Sequence, residues 1–272
     1  MFRHIPPEDL TAAMVQNLIR SSAVRFFGVI VKLGVRRLPF FDRTFLALYG
    51  EYKKHFEAGP VDRLREFVPL ASIVIDVGAN VGFFTLRFAE WVGAAGEVIS
   101  IEPEQHNYDI LTASLDRSGL SERVRTLKAA ATAVAGVARL EINPLHPADH
   151  KLSRDGTGLP VDGVTLDDLV NDARHLRPGL VKIDVQGAEM LVLLGASNIL
   201  RVAAPALFIE LHEEGLEKFG TSVSAILNHL SGLGYAAYWL MRQGPHKRAS
   251  PAEIHAKVAQ AGYVDVLFLK LR

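Results

Sequence analysis

The chain has no cysteine among its 272 residues. That excludes disulfide staples, thiolate metal ligands and a cysteine nucleophile, and it fits a reducing, cytoplasmic setting. A surplus of either charge is missing too: 30 Lys and Arg face 30 Asp and Glu, a formal net charge of zero. Nothing therefore resembles the basic footprint of a nucleic-acid binder. No apolar run reaches the length of a bilayer span, and "AVRFFGVIVKLGV" is interrupted by Arg25 and Lys32. "MFRHIPPEDL" lacks the apolar core that follows a basic start in a secretion signal, so a soluble, cytoplasmic chain is expected. Also missing is the Gly-x-Gly-x-x-Gly spacing of a dinucleotide-binding turn.

What is present is alternation. From Ala71 onward, apolar strand-like runs such as "ASIVIDV", "GEVISIEP", "RVRTLKAA", "GLVKIDV" and "APALFIELH" alternate with helical segments such as "FFTLRFAEWVG", "QHNYDILTASLDRSGL" and "SVSAILNHLSGLG". Near-continuous apolar strands separated by amphipathic helices imply a parallel sheet covered on both faces. "ARLEI" reads as an additional strand outside that rhythm, and "YAAYWLM" with "YVDVLFLKL" as a closing antiparallel pair. No helix of comparable quality is evident between these last two, where "SPAEIHAKVAQAG" could form a short helix or flank the active site. Residues 1–70 differ: "PPEDLTAAMVQNLIRSS" and "PVDRLREFV" read as helices with Pro near their starts. The division expected is an α-helical cap over 1–70 and one catalytic domain over 71–272. Arg25, Lys32, Arg36 and Arg37 among apolar residues suit packing onto that domain, or contact with a membrane surface. Self-association is left open.

Two strand ends carry chemistry. In "IDVGANVGFFTL", Asp76 closes a strand, Gly78, Asn80 and Gly82 form a turn, and a helix follows. Asp76 would oppose a pyrophosphate and suit an amine-bearing ligand. Glu102 ends the next strand, about 20 residues on, where an acid commonly holds a ribose diol. The second end, "VKIDVQGAEM", stops at Asp184, which should face the same crevice, because ligands in open α/β sheets bind at the carboxyl ends of strands. Capping of the following helix is the plainer role open to Asp76 and Asp184.

"VIDVGANVGFFTL", "ISIEPE", "VTLDDLV" and "LVKIDVQGAEMLVLLGA" together resemble the FkbM-type S-adenosylmethionine-dependent methyltransferases over about residues 72–239. The resemblance implies an α/β Rossmann-like class I methyltransferase sheet of seven strands in the order 3-2-1-4-5-7-6. It implies that Asp76, Gly78, Asn80 and Gly82 cradle the amino-acid part of S-adenosylmethionine and that Glu102 holds its ribose. It puts Asp184 between cofactor and acceptor, a candidate for both cofactor contact and catalysis. The family usually carries Glu where this chain has Gln186.

Further candidates lie nearby. In "FIELHEE", Glu210 and His212 share a strand face by alternation and with Asp184 could form an acid/base set or a metal site, although no metal is expected. In the polar stretch "NPLHPADHKLSRDGTGLP", which contains His146, Asp149 and His150, the segment Asp149–His150–Lys151 is the candidate for contact with the acceptor, and His150 for a catalytic role. The expected activity is O-methylation of a hydroxyl on a sugar, glycolipid or secondary metabolite, a small-molecule or glycan acceptor. A methyltransferase fold retained as a non-catalytic binding or scaffold module is the alternative, and an NAD-dependent enzyme the weaker third.

Overall fold

The computed structural model describes residues 60–143, 150–171 and 177–271. Their strands are β1 (Ile73–Val77), β2 (Glu97–Ile101), β3 (Val124–Leu127), β4 (Ala129–Ala131), β5 (Gly136–Glu141), β6 (Lys151–Leu152), β7 (Leu159–Val164), β8 (Pro178–Ile183), β9 (Ala206–Leu211), β10 (Tyr235–Trp239), β11 (Lys247–Arg248) and β12 (Val264–Lys270). The α-helices are α1 (Phe83–Trp91), α2 (Gln105–Ser118), α3 (Leu166–Asn171), α4 (Glu189–Leu194), α5 (Glu213–Lys218), α6 (Val223–Gly232) and α7 (Pro251–Ala261).

The main sheet runs β11-β10-β12-β9-β8-β1-β2-β3. Counted along the chain without the two-residue edge strand β11, this is 3-2-1-4-5-7-6, the order expected. β1 pairs in parallel with both β2 and β8, and β8 with β9. Strand order reverses between β1 and β8, so the crevice of the sheet opens there. All five residues of β1 are buried, as a parallel strand covered on both faces requires. β12 lies antiparallel between β9 and β10 and forms the closing pair.

Two local expectations change. "SPAEIHAKVAQAG" forms the full helix α7, with Pro251 in its first turn and a reciprocal capping box between Ser250 and Glu253. "RVRTLKAA" is not one strand: it breaks at Lys128, with β3 staying in the main sheet and β4 entering a second sheet ordered β4-β7-β5-β6. In that sheet "ARLEI" becomes part of β5, paired antiparallel with β7. β7 itself escapes a pattern search because Pro160 and Gly163 interrupt its sequence and its outer residues are exposed.

"PVDRLREFV" winds as a 3-10 helix over Val61–Phe67, which buries Val61 and Leu64. The Arg63 guanidinium donates to the carbonyls of Met241 (2.9 Å) and Gly244 (2.6 Å), tying this segment to the loop after β10. The rest of the helical cap expected over 1–70, with its membrane-facing side, falls outside the described residues. Among those that are described, no helix is long and apolar enough to cross a membrane.

Candidate active site

The first turn, Gly78–Gly82, is closed by its own hydrogen bonds. Gly78 N and Ala79 N both donate to Ile101 O at 3.0 Å, and Gly82 N donates to Ala79 O at 3.0 Å. Asn80 N donates to Glu102 Oε2 and Val81 N to Asn80 Oδ1, each at 2.8 Å. Every amide of the turn is therefore already used. Pyrophosphate binding needs free N–H groups, so this turn offers no anion cradle. A pyrophosphate would find no free donor among the five amides of this turn.

Glu102 lies at the end of β2, 5% exposed. Its Oε2 accepts from Asn80 N and its Oε1 from Glu104 N at 3.0 Å, and the Asn107 side chain bonds it as well. A carboxylate has about four acceptor sites, so these donors do not exhaust it and a ligand hydroxyl can still be received. Burial pushes this acid up to about 7, against the pull of the backbone amides of Glu104 and Asn80. Asn80 itself takes a left-handed backbone (φ 51°).

Asp76 corrects an expectation. Placed from sequence against the ligand, it is 0% exposed and faces inward under α1. Its Oδ2 accepts from Thr85 Oγ1 at 2.6 Å, and Thr85 in turn lies 2.7 Å from Ser100 Oγ. Its Oδ1 faces Lys182 Nζ at 3.5 Å. Lys182 is the register partner of Asp76 on β8, and Ser100 its partner on β2, so one buried polar row crosses three strands. The glycines also act inward. A Cβ on Gly78 would meet the Asp184 carbonyl, and one on Gly82 the side chain of Leu111.

Sequence reasoning passed over Lys182. It is 3% exposed, donates to Gly78 O (2.8 Å) and Val77 O (3.4 Å), and approaches Asp184 Oδ2 at 3.5 Å. The signal was available: one lysine inside an apolar strand that must be buried on both faces.

Asp184 stands at the crevice, its side chain 25% exposed. Gln186 donates through Nε2 to Asp184 Oδ1 (3.1 Å) and to Glu210 Oε1 (3.2 Å). Gln186 thus joins two carboxylates that would otherwise only repel, from a left-handed backbone (φ 56°). Glu189, 2% exposed, braces the same turn: its Oε1 accepts from Gly187 N (3.0 Å) and Val185 N (3.3 Å).

The two histidines do not join this set. His212 is the N-cap residue of α5 and makes no side-chain cap bond, and its Nδ1 lies against the first turn of that helix, beside Gly215. It is Gln186, not His212, that links Asp184 with Glu210. His150 lies near Glu104, beyond the end of β2. Its Nδ1 accepts from Asn143 N at 3.0 Å, and its Nε2 faces Glu104 Oε2 at 3.9 Å. With Nδ1 used as acceptor, a neutral ring carries its proton on Nε2 and keeps no lone pair for a base. His146 and Asp149 lie outside the described residues. Among those described, no three His, Asp or Glu side chains converge on a metal position.

A model of the methyltransferase FkbM domain matches residues 76–237, more than half of the chain and both strand-end turns. The chain belongs to the FkbM methyltransferase domain family. Among curated proteins it is similar to the hexuronic acid methyltransferase AglP of Haloferax volcanii, 28% identical over 141 residues, which are 52% of this chain and 56% of AglP. The chain thus spans little more than half of that relative. Among solved structures it is similar to an FkbM methyltransferase of Methylobacillus flagellatus (18% identity, 74% of this chain and 44% of that one, TM-score 0.47). It is similar also to a SAM-dependent O-methyltransferase of Thermotoga maritima (13% identity, 79% and 65%, TM-score 0.42).

The two buried acids of this FkbM domain have a measurable consequence. Burial raises Glu189, like Glu102, from 4.5 to about 7. Both folded values exceed the unfolded ones, so the native chain holds more protons than the unfolded chain between about pH 4.5 and 7. Their stabilisation is complete below that window and is lost as pH rises through it, by on the order of 3 kcal/mol for each acid. Denaturant unfolding of the ligand-free protein should give a higher stability at pH 5 than at pH 8. Glu189→Gln should remove about half of the difference, and an unchanged slope in that variant would exclude Glu189 as its source.

Proposed function

We propose that this chain is an S-adenosylmethionine-dependent methyltransferase that methylates a hydroxyl oxygen on a sugar, glycolipid or related secondary metabolite. The observation that carries this is the inventory of the first turn: its amides are all donated internally, and the Glu102 carboxylate beside it keeps capacity to accept. Ribose hydroxyls and an ammonium group match such a site, and a pyrophosphate does not. Family membership supports the reaction class, and the name of AglP, a hexuronic acid methyltransferase, supports a carbohydrate acceptor.

The residues present fit the cofactor. Glu102 would hold its ribose hydroxyls, the Gly78–Gly82 turn would lie against its amino-acid part, and Asp184 would stand nearest the reacting centre. When bound, it supplies an electrophilic methyl group on a sulfonium, for in-line displacement by the acceptor oxygen. The protein supplies position and proton handling. Each Asp184 oxygen is engaged from inside, Oδ1 by Gln186 and Oδ2 by Lys182. A carboxylate oxygen accepts more than one hydrogen bond, so the acceptor hydroxyl can be received from the crevice side. Asp184 thus orients that hydroxyl and takes its proton as the C–O bond forms. Gln186 does not leave the site defective, because its amide supplies the donors that two neighbouring carboxylates need.

Calorimetric titration with S-adenosylmethionine and S-adenosylhomocysteine, with NAD as control, tests the cofactor. Micromolar binding of the first two, none of NAD, and loss of binding in Glu102→Ala are expected. A folded protein that binds neither would return the scaffold alternative.

A further inference from the structure

Lys182 is placed as few lysines are. It is buried to 3% exposure, it is the next-to-last residue of β8 beside the switch point of the sheet, and it touches both turns of the site. Toward the first turn it donates to Gly78 O at 2.8 Å and faces Asp76 Oδ1 at 3.5 Å. Toward the second it faces Asp184 Oδ2 at 3.5 Å. Its ammonium also lies 5.2 Å from the centre of the Phe84 ring, which leans over it from α1. The tether to Gly78 and the rigid β8 backbone leave this charge little room to move.

We infer that Lys182 is a positioning residue that fixes the Asp184 carboxylate and the Gly78 turn relative to each other across the crevice. This rests on the methyl-transfer role proposed above and deepens it. A carboxylate that takes a proton from the acceptor must point at the hydroxyl while the donor methyl is in line. One ammonium bound to both turns couples those two requirements. Asp76 then plays a supporting part, since its buried carboxylate, bonded to Thr85, helps keep Lys182 charged and in place. A purely structural Lys182 would serve only to neutralise Asp76.

The two roles separate in the double variant Asp76→Asn/Lys182→Met, which removes both buried charges together and so leaves none uncompensated. The readout is the titration of Asp184 in the ligand-free protein, followed by carbon NMR of its carboxyl group and assigned with Asp184→Asn. Among the described residues, the groups acting on Asp184 include Lys182 on β8, Gln186 in the turn, Glu210 on β9 through Gln186, Glu189 on α4, and Asp76 on β1 through Lys182. Removing the adjacent cation should raise the Asp184 midpoint by about one unit or more relative to Asp76→Asn alone. S-adenosylhomocysteine affinity should fall about tenfold on the same comparison, through the lost anchor at Gly78. An unmoved midpoint, or unchanged affinity, would overturn the inference.

If the double variant does not fold, Asp184→Asn gives the reciprocal reading, since Asp184 is part-exposed and Asn is isosteric. The Lys182 ammonium signal should then lose its proton at lower pH than in the wild type, and no change would overturn the inference equally. The two titrations involve no methyl transfer. A protein that binds no S-adenosylhomocysteine would refute the proposed function and leave this electrostatic coupling to be judged by itself.

Discussion

Gly78→Ala should lose more than about 3 kcal/mol of unfolding free energy and all measurable cofactor binding. Two penalties add. Gly78 has φ +74°, where a Cβ meets the following carbonyl at a cost of roughly 1–2 kcal/mol. The larger penalty is tertiary. The added Cβ would lie 2.9 Å from the Asp184 carbonyl carbon and nearer still to its oxygen, both backbone atoms of the neighbouring strand end. No rotamer change relieves a backbone clash, so the ends of β1 and β8 must part. That stretches the Asp184 N to Val77 O bond (3.1 Å) and the Lys182 bond to Gly78 O. Gly119→Ala is the matched control. Gly119 has φ +64° at the C-cap of α2, but nothing lies within 4 Å of its added Cβ. It should therefore show the backbone penalty alone, about 1 kcal/mol. Equal losses from urea denaturation of the two variants would show that the close approach of the strand ends is not what makes Gly78 necessary.

The same pair of strand ends separates what the sequence makes legible from what it does not. Asp184 and Glu102 could be located because each closes an apolar run before a helix, a local pattern that periodicity detects. The strand order followed once the family motifs were assembled. Lys182 could not be assigned its role, because its partners at the first turn, Asp76, Val77 and Gly78, lie about a hundred residues away and meet it only through the parallel register Asp76↔Lys182. Register also explains why Asp76 turns inward: the side chain opposite it on β8 is a lysine, and the helix above presents Thr85. Gln186 reads from sequence as a lost charge. Its value as a bridge appears only when β9 brings Glu210 within 3.2 Å. His150 and His212 had suitable chemistry, but their neighbours Asn143, Glu104 and Gly215 decide what their rings can do. β7 was missed, and β4 merged with β3, for a similar reason: three alanines and a Pro- and Gly-containing segment form strands of the second sheet because β7 pairs with both β4 and β5.

Asp184→Asn should reduce kcat by about 10²–10⁴-fold while leaving S-adenosylmethionine affinity within a factor of about two. Asn keeps the shape and one acceptor oxygen, so the turn stays braced by Glu189 through Val185 N and Gly187 N. What it loses is the charge that, in the proposed reaction, receives the proton and attracts the acceptor hydroxyl. Lys182 and Gln186 hold the carboxylate from inside and aim it, which suits orientation of the acceptor hydroxyl. Calorimetry with the cofactor and single-turnover methyl transfer to an acceptor found by screening hydroxyl-bearing sugars would measure the two quantities separately. An equal loss of binding and turnover would move Asp184 to the cofactor side of the crevice. Glu210 would then be the remaining carboxylate in contact with Gln186 and able to face an acceptor, and Glu210→Gln would become the variant that loses kcat alone.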